Sequence, residues 1–528
     1  MLTLHHISYL HPDKEPLFNE LGFSIQKSQK VALIGNNGSG KSTLLKIIAG
    51  QLTPAAGEIK SDTIPYYIPQ VFGQYNHLTI AQALGVHDRL QALHSILEGD
   101  VSGANIDLLN DDWTIEERCA EALEQWGLNG FGMNQSMRTL SGGQKMKVFL
   151  AGIHIHQPEL VLMDEPGNHL DVAGRKQLYD FISHTSKTLI IVSHDRKLLN
   201  LLNTMLELSA GGIITYSGNF DFYKEQKQIA DQALQDHLQS KEKALRKAKE
   251  KERETMERQQ KLDARGKSKQ EKAGVARIMM NTLRNQAENS TSKLKSAHAE
   301  KISGISQEVQ HLRSIIPDLD KMKLGFDDSD LHKGKLLFKA EGLNYNYGVE
   351  KVWKQPLDLS LLSGERLALS GPNGSGKTTL IKIILGDLKP EQEIYSTIRH
   401  TVYIDQEYSL IDNNLKVYEQ AQQFNTGALQ EHEIKIRLNW FLFGKDDWDK
   451  PCAALSGGER MRLLLCCLTI SDQSPDLIVL DEPTNNLDIH NIEILTHAVN
   501  QYKGTMLVVS HDEYFLEQTG IERTINLL

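Results

Sequence analysis

The segment Gly35-Asn36-Asn37-Gly38-Ser39-Gly40-Lys41-Ser42 recurs as Gly371-Pro372-Asn373-Gly374-Ser375-Gly376-Lys377-Thr378. Each copy follows an apolar run, Val31-Ala32-Leu33-Ile34 or Leu367-Ala368-Leu369, and precedes a helical pattern, Leu44-Leu45-Lys46-Ile47-Ile48 or Leu380-Ile381-Lys382-Ile383-Ile384. That strand–loop–helix context is what separates a phosphate-binding loop from a glycine-rich turn. The glycines let backbone N–H groups close around a phosphate at a helix N-terminus, where Thr43 and Thr379 also stand. Lys41 or Lys377 neutralises phosphate charge, and the hydroxyl of Ser42 or Thr378 suits a magnesium ion. The fold class predicted is α/β, with two P-loop domains.

Later features recur in the same order, and their offsets are informative. Lys41 to Lys377 and Gln70 to Gln406 are both 336 residues; Ser141 to Ser456 is 315; Glu165 to Glu482 and His194 to His511 are both 317. About twenty extra residues therefore sit in the first half. They are placed within 73–112, with Ala81 to Leu97 read as helical and Gly99 to Asp112 as a polar loop.

Leu160-Val161-Leu162-Met163-Asp164-Glu165 and Leu477-Ile478-Val479-Leu480-Asp481-Glu482 are apolar runs ending in two carboxylates. Neighbouring strand side chains point to opposite faces, so the two acids are expected to have different jobs. Asp164 and Asp481 suit a magnesium ion held at the strand end. Glu165 and Glu482 suit a base or water-orienting group opposite a γ-phosphate. Ser141-Gly142-Gly143 and Ser456-Gly457-Gly458 cap helices and offer backbone N–H groups to an anion. His194 and His511 each follow a β-branched strand pattern, and their shared offset with the acids points to a γ-phosphate contact.

The net charge of −10 hides an asymmetry: residues 224–324 carry 23 Lys and Arg against 15 Asp and Glu, while the remainder carries 35 against 53. Residues 224–316 lack proline and read as two antiparallel helices, the first from 224 to 261, about 57 Å long. Leu234, Leu238, Leu245 and Ala248 on the way out, and Leu294, Ile302, Ile305 and Val309 on the return, give a 3–4 periodicity. The tip falls near 263–290. Predicted domains are 1–223, 224–324 and 325–528. No signal-like N-terminus and no apolar run near the ~18 residues of a membrane span occur, so a soluble cytoplasmic protein without a membrane partner is expected. The spacing of Cys119, Cys452, Cys466 and Cys467 predicts reduced, buried thiols.

The ordered set of P-loop, Gln70 or Gln406, Leu-Ser-Gly-Gly, Asp-Glu-Pro, Asp171 or Asp488 and histidine resembles the ATP-binding cassette. Two cassettes joined by a helical insert, which Gly218-Asn219-Phe220-Asp221-Phe222-Tyr223 leads into, resemble the ABC-F family of translation factors. The resemblance implies a monomer whose cassettes close head to tail on two ATP molecules with Mg2+, Gln70 and Gln406 joining the metal sites. The loop at 35–42 then faces Ser456-Gly457-Gly458, and the loop at 371–378 faces Ser141-Gly142-Gly143. It further implies ATP hydrolysis, docking in the ribosomal exit site, and a linker tip directed at peptidyl-tRNA, as translation factor or antibiotic-resistance protein. Arg265, Lys267, Lys269, Lys272, Arg277 and Arg284 are the RNA-contacting candidates. Tyr347 is the candidate for stacking on adenine in the second half; His11 stands opposite it in register, with Tyr9 nearby. Gly167 departs from the family pattern, which Thr484 keeps. The insertion sits where some relatives carry an arm, and the chain ends 17 residues after His511, which leaves no length for the further coiled coil some relatives carry. A DNA-directed ABC ATPase and the ATP-binding subunit of a transporter with a separate permease are the alternatives.

Overall fold

The computed structural model describes residues 1–10, 16–209, 211–272, 292, 296, 299–313, 332–348, 350–372, 374–485 and 487–527. The chain divides into two units: Met1–Asp221 with Lys321–Leu528, and Phe222–Asp320.

The first unit contains the same architecture twice. In the first half, a sheet runs in the order Tyr66–Ile68, Leu160–Asp164, Thr188–Val192, Lys30–Ile34, Thr204–Ser209, Gly212–Ser217. Every pair is parallel except the last, an antiparallel hairpin at the edge. In the second half the order is Thr401–Ile404, Leu477–Asp481, Thr505–Val509, Arg366–Ser370, Arg523–Asn526, parallel throughout. Each half adds a three-stranded antiparallel sheet: Pro16–Ile25, Leu2–Leu10, Ala56–Ser61 in one, and Leu357–Leu362, Leu336–Leu343, Ile394–Ser396 in the other. The central strands read as unbroken apolar runs because both faces are covered; Leu160–Asp164 and Thr188–Val192 are buried at every position.

Parallel order decides where chemistry can happen. The loop after Ile34, the acids after Met163 and the histidine after Ser193 all leave the sheet at its C-terminal edge, beside one another. The second half repeats this with Ser370, Asp481 and Ser510.

The insertion is narrower and more helical than the expectation. The helices Ile80–Ala83 and Ile115–Gln125 correspond to Val417–Gln423 and Glu431–Trp440, so the extra residues lie between Ala83 and Ile115. The predicted helix over 81–97 is broken at Gly85, whose φ of 69 ends the first turn, and resumes as His87–Leu97. The predicted polar loop contains a further helix, Gly103–Leu109, closed by Asn110 in the left-handed region. All four cysteines are buried and free.

One long helix, Phe220–Lys272, starts two residues before the second unit and supplies its first segment. It starts earlier and ends later than 224–261, because Gly266 does not stop it; a glycine costs a helix interior only about 1 kcal/mol. Its 53 residues span about 80 Å. Residues 299–313 return as a helix. The 3–4 stripe is real: Leu234, Leu238, Leu245 and Ala248 are half-buried, as are Ile302 and Ile305, and Val309 and Leu312 are buried. Lys241 pairs with Glu308 at 2.6 Å and Arg313 with Glu242 at 2.6 Å across the two helices. Leu294 and most of the predicted tip at 263–290 lie outside the described residues. Among those residues, no helix is long and apolar enough to cross a membrane.

Candidate active site

A cavity of about 410 Å³ lies over the first P-loop. It is lined by Asn37, Gly38, Gly40, Lys41, Ser42 and Thr43, by Gln70, Asp164, Glu165 and His194, and by Ser456 from the other half. Sequence reading named all of these. It missed Leu17, which also lines the cavity and whose side chain crowds the P-loop: a Cβ on Gly40 would stand 2.8 Å from Leu17 Cδ2. Gly40 has φ 95 and Gly376 φ 89, left-handed geometry that opens the helices Lys41–Ile48 and Lys377–Leu385.

Polar groups converge without protein partners to satisfy them. The hydroxyls of Ser39 and Ser375 and one carboxylate oxygen of Asp164 are buried and accept or donate no hydrogen bond. Lys41 Nζ folds back onto the carbonyls of Gly35 (2.7 Å) and Asn36 (2.9 Å), and Lys377 Nζ onto those of Gly371 (2.7 Å) and Pro372 (3.1 Å). Burial lowers the pKa of both lysines; Glu165, Asp488 and Asp164 oppose the shift at Lys41, and Glu482, Asp481 and Asp171 at Lys377. A buried cation among carboxylates with unsatisfied hydroxyls fits a bound polyphosphate with a magnesium ion. Among the described residues no group of three His, Cys, Asp or Glu side chains that could hold a metal ion exists.

Tyr67 donates to Asp164 at 3.3 Å and Tyr403 to Asp481 at 2.9 Å, fixing each carboxylate. These tyrosines were overlooked, although they share the 336-residue offset of the P-loops. The strand alternation invoked for the acid pairs does not set their directions. Each strand stops at the aspartate, and Glu165 and Glu482 both have φ 51, a left-handed conformation rare for such a residue. Their N–H groups donate to Val192 O (2.8 Å) and Val509 O (2.7 Å), which holds the turn in place. The glutamates thereby meet the histidines: His194 Nε2 lies 3.4 Å from Glu165 and His511 Nε2 lies 3.2 Å from Glu482. Burial pushes Glu165 up to about 8 and Glu482 up to about 7, and pushes His194 down to about 3 and His511 down to about 4.

The halves meet head to tail. Ser456 caps Gly457–Ile470 and Ser141 caps Gly142–His156, each in a reciprocal box with Glu459 or Gln144. Asp488 caps Ile489–Gln501 through one oxygen and, with the other, accepts from the Asn37 N–H at 2.9 Å in the opposite half. In mirrored fashion Asp171 acts on Lys377 and Asp488 on Lys41. Arg175 reaches the His511 carbonyl at 3.4 Å. Ser141, Gly142 and Gly143 stand at their helix start, and Gly142 packs on His169. Gln406 lines a separate cleft of about 590 Å³ with Tyr408, Asn413, Gly457 and Arg460. Tyr347 is exposed, its hydroxyl 3.4 Å from Thr379 and its ring edge-on to Tyr345. Tyr9 packs on Phe18 at 6.2 Å between ring centroids. His11, Asn373, Arg277 and Arg284 lie outside the described residues. Lys267, Lys269 and Lys272 lie on the last turns of the long helix, and Arg265 is exposed.

Two P-loop domains with paired acids, capped Ser-Gly-Gly helices and head-to-tail contact define a tandem ATP-binding cassette ATPase, which binds and hydrolyses ATP. The ABC transporter family profile matches residues 18–168 and 355–485. The ATP-binding protein Uup of Haemophilus influenzae is 31% identical over 97% of this chain and 77% of its own length. ABC transporter F family member 5 of Arabidopsis thaliana is 28% identical over 95% and 71%, and the ribosome protection protein VmlR of Bacillus subtilis is 28% identical over 100% and 88%. An archaeal ribosome recycling factor, solved with a ribosomal stalk protein, shares the fold over 99% of this chain and 87% of its own, with a TM-score of 0.60 at 19% identity. The chain belongs to the ABC-F family.

Proposed function

We propose that this protein is a monomeric, cytoplasmic ribosome-acting ATPase whose two cassettes close on two ATP molecules and whose basic hairpin carries the output toward tRNA in the exit site. The observation that carries it is the reach of Asp488 and Ser456 into the first P-loop site, which makes closure and nucleotide binding one event. A relative named as a ribosome protection protein, matched along its length, supports the ribosome as target.

In this reading Lys41 and Lys377 leave their loop carbonyls for the phosphates, and the P-loop N–H groups hold the β-phosphate. Ser42, Gln70 and Asp164 in one site, and Thr378, Gln406 and Asp481 in the other, would hold Mg2+, which supplies charge neutralisation between the phosphates. Glu165 and Glu482 orient the attacking water, and His194 and His511 hydrogen-bond the γ-phosphate. Ser456-Gly457-Gly458 and Ser141-Gly142-Gly143 present N–H groups to the same phosphate from across the interface. Tyr347 covers the adenine of the second site. Arg265, Lys267, Lys269, Lys272, Arg277 and Arg284 contact RNA phosphates.

The test is Glu165→Gln with Glu482→Gln. This variant keeps the phosphate and metal ligands, so it binds ATP, hydrolyses it at least about a hundredfold more slowly, and sediments with ribosomes in ATP but not in ADP. Parental hydrolysis would remove the glutamates from their role; slow hydrolysis without ribosome sedimentation would remove the ribosome.

A further inference from the structure

The cassette interface has a second contact region, adjoining Glu165 and His194, where Asp195 and Asp512, 317 residues apart, line one small cavity together with Arg175. On the first cassette this region is basic. Arg196, 5% exposed, pairs with Glu493 at 3.6 Å and donates to Gln518 Oε1 at 3.3 Å. Lys197 pairs with Glu513 at 2.7 Å, and Arg175 lies 3.8 Å from Asp195 and donates to the His511 carbonyl. The second cassette is acidic at the same places. By the 317-residue register, Arg196 corresponds to Glu513, Lys176 to Glu493, Lys197 to Tyr514 and Asn200 to Glu517.

The consequence follows from pseudo-symmetry. P-loops, Ser-Gly-Gly caps and the aspartates Asp171 and Asp488 occur in both cassettes, so two copies of the first cassette, or two of the second, would carry the same nucleotide-interface motifs as the unlike pair. At the junction they would differ from it. First against first sets Lys197 opposite Arg196 and Arg196 opposite Lys176; second against second sets Glu513 opposite Glu493. Only the unlike pair brings opposite charges together, and like charges at a partly buried contact are a strong means of excluding a wrong partner.

We propose that the Asp195–Asn200 and Asp512–Gln518 segments, with Arg175 and Glu493, form a charge-coded recognition surface that accepts the unlike cassette and rejects a like one. The fused chain thus avoids assembling with other copies of itself through its own catalytic surfaces, and the cassettes keep one register whenever they close. This pairing of cassettes needs no ribosome, and turnover is measured without one.

The experiment is a reversal cycle in the full chain, read by ATP turnover at 50 and 500 mM salt. Glu493→Lys with Glu513→Lys makes the second face basic, imitating a like partner; Arg196→Glu with Lys197→Glu makes the first face acidic. Each alone is expected to lower turnover at low salt at least about threefold, with recovery at high salt where charges are screened. All four changes together restore turnover to within about twofold. Arg196 is buried, so thermal melting is followed alongside; if its reversal unfolds the chain, the exposed pair Lys197→Glu and Glu513→Lys carries the same cycle alone. Single-face reversals within twofold of the parent, or a combined reversal no better than either single one, would overturn the proposal.

Discussion

Glu165 and Glu482 combine a left-handed backbone, burial and an adjacent imidazole, and that combination gives a testable pH dependence. The water-orienting role proposed for them needs a carboxylate, yet burial holds the two acids protonated up to about 8 and about 7. His194 and His511 stay neutral across this range, so within each Glu–His pair it is the glutamate that sets the limb. The expected kcat/KM for ATP therefore rises with pH through about 7 to 8, and the limb vanishes in the Gln variants. Stability runs the other way. The folded state retains protons that the unfolded chain releases above 4.5, so this contribution is lost as pH rises toward about 8. Calorimetry should find the melting advantage of Glu165→Gln with Glu482→Gln larger at pH 8.5 than at pH 5. The residues that line the first cavity were legible because a phosphate-binding loop leaves little choice of residue type. The turn at φ 51 was not, since nothing in Asp-Glu-Pro says where the strand lets go. Tyr67 and Tyr403 were within reach through their shared offset, whereas Arg175, matched by Ile492, follows no repeat.

Among elements, the linker helices show how a weak periodicity becomes a packed seam. Among the described residues of the hairpin most side chains are exposed or half-buried, while Val309 and Leu312 are 4% and 7% exposed. Leu312→Asp places a charge in that seam at a cost of about 2 kcal/mol or more. Amide exchange in residues 299–313 and 234–256 should accelerate at least about tenfold. ATP turnover without ribosomes should stay within about twofold, because the first cavity is lined by residues of the cassette unit alone. Unaltered exchange would mean the two helices do not depend on this seam. The helices themselves were readable from composition and spacing. Their ends were not, because Gly266 weakens a helix without ending it and the start at Phe220 follows the fold of the preceding edge strand. The insertion shows the opposite case: arithmetic on the repeat located it, but Gly85 and the short helix Gly103–Leu109 depend on local backbone geometry that a polar composition disguises.

At the scale of the whole molecule, charge separates the tasks. The cassettes carry the acidic excess, 53 Asp and Glu against 35 Lys and Arg outside residues 224–324, a balance that opposes RNA phosphates, so the proposed RNA contact falls to the basic insert. Each cation brought to a phosphate releases condensed counterions, so the six candidates should dominate the salt dependence of ribosome binding. Replacing Arg265, Lys267, Lys269, Lys272, Arg277 and Arg284 by Gln is expected to weaken binding and to make the slope of log affinity against log salt shallower by about 4 to 5. Nucleotide affinity, set in the other unit, should not change. The slope separates contact from folding, because a variant whose hairpin has merely loosened loses affinity at every salt concentration alike. A loss with the parental slope would put the phosphate contacts elsewhere on the chain, and the acidic cassettes would then need a local basic face to make them.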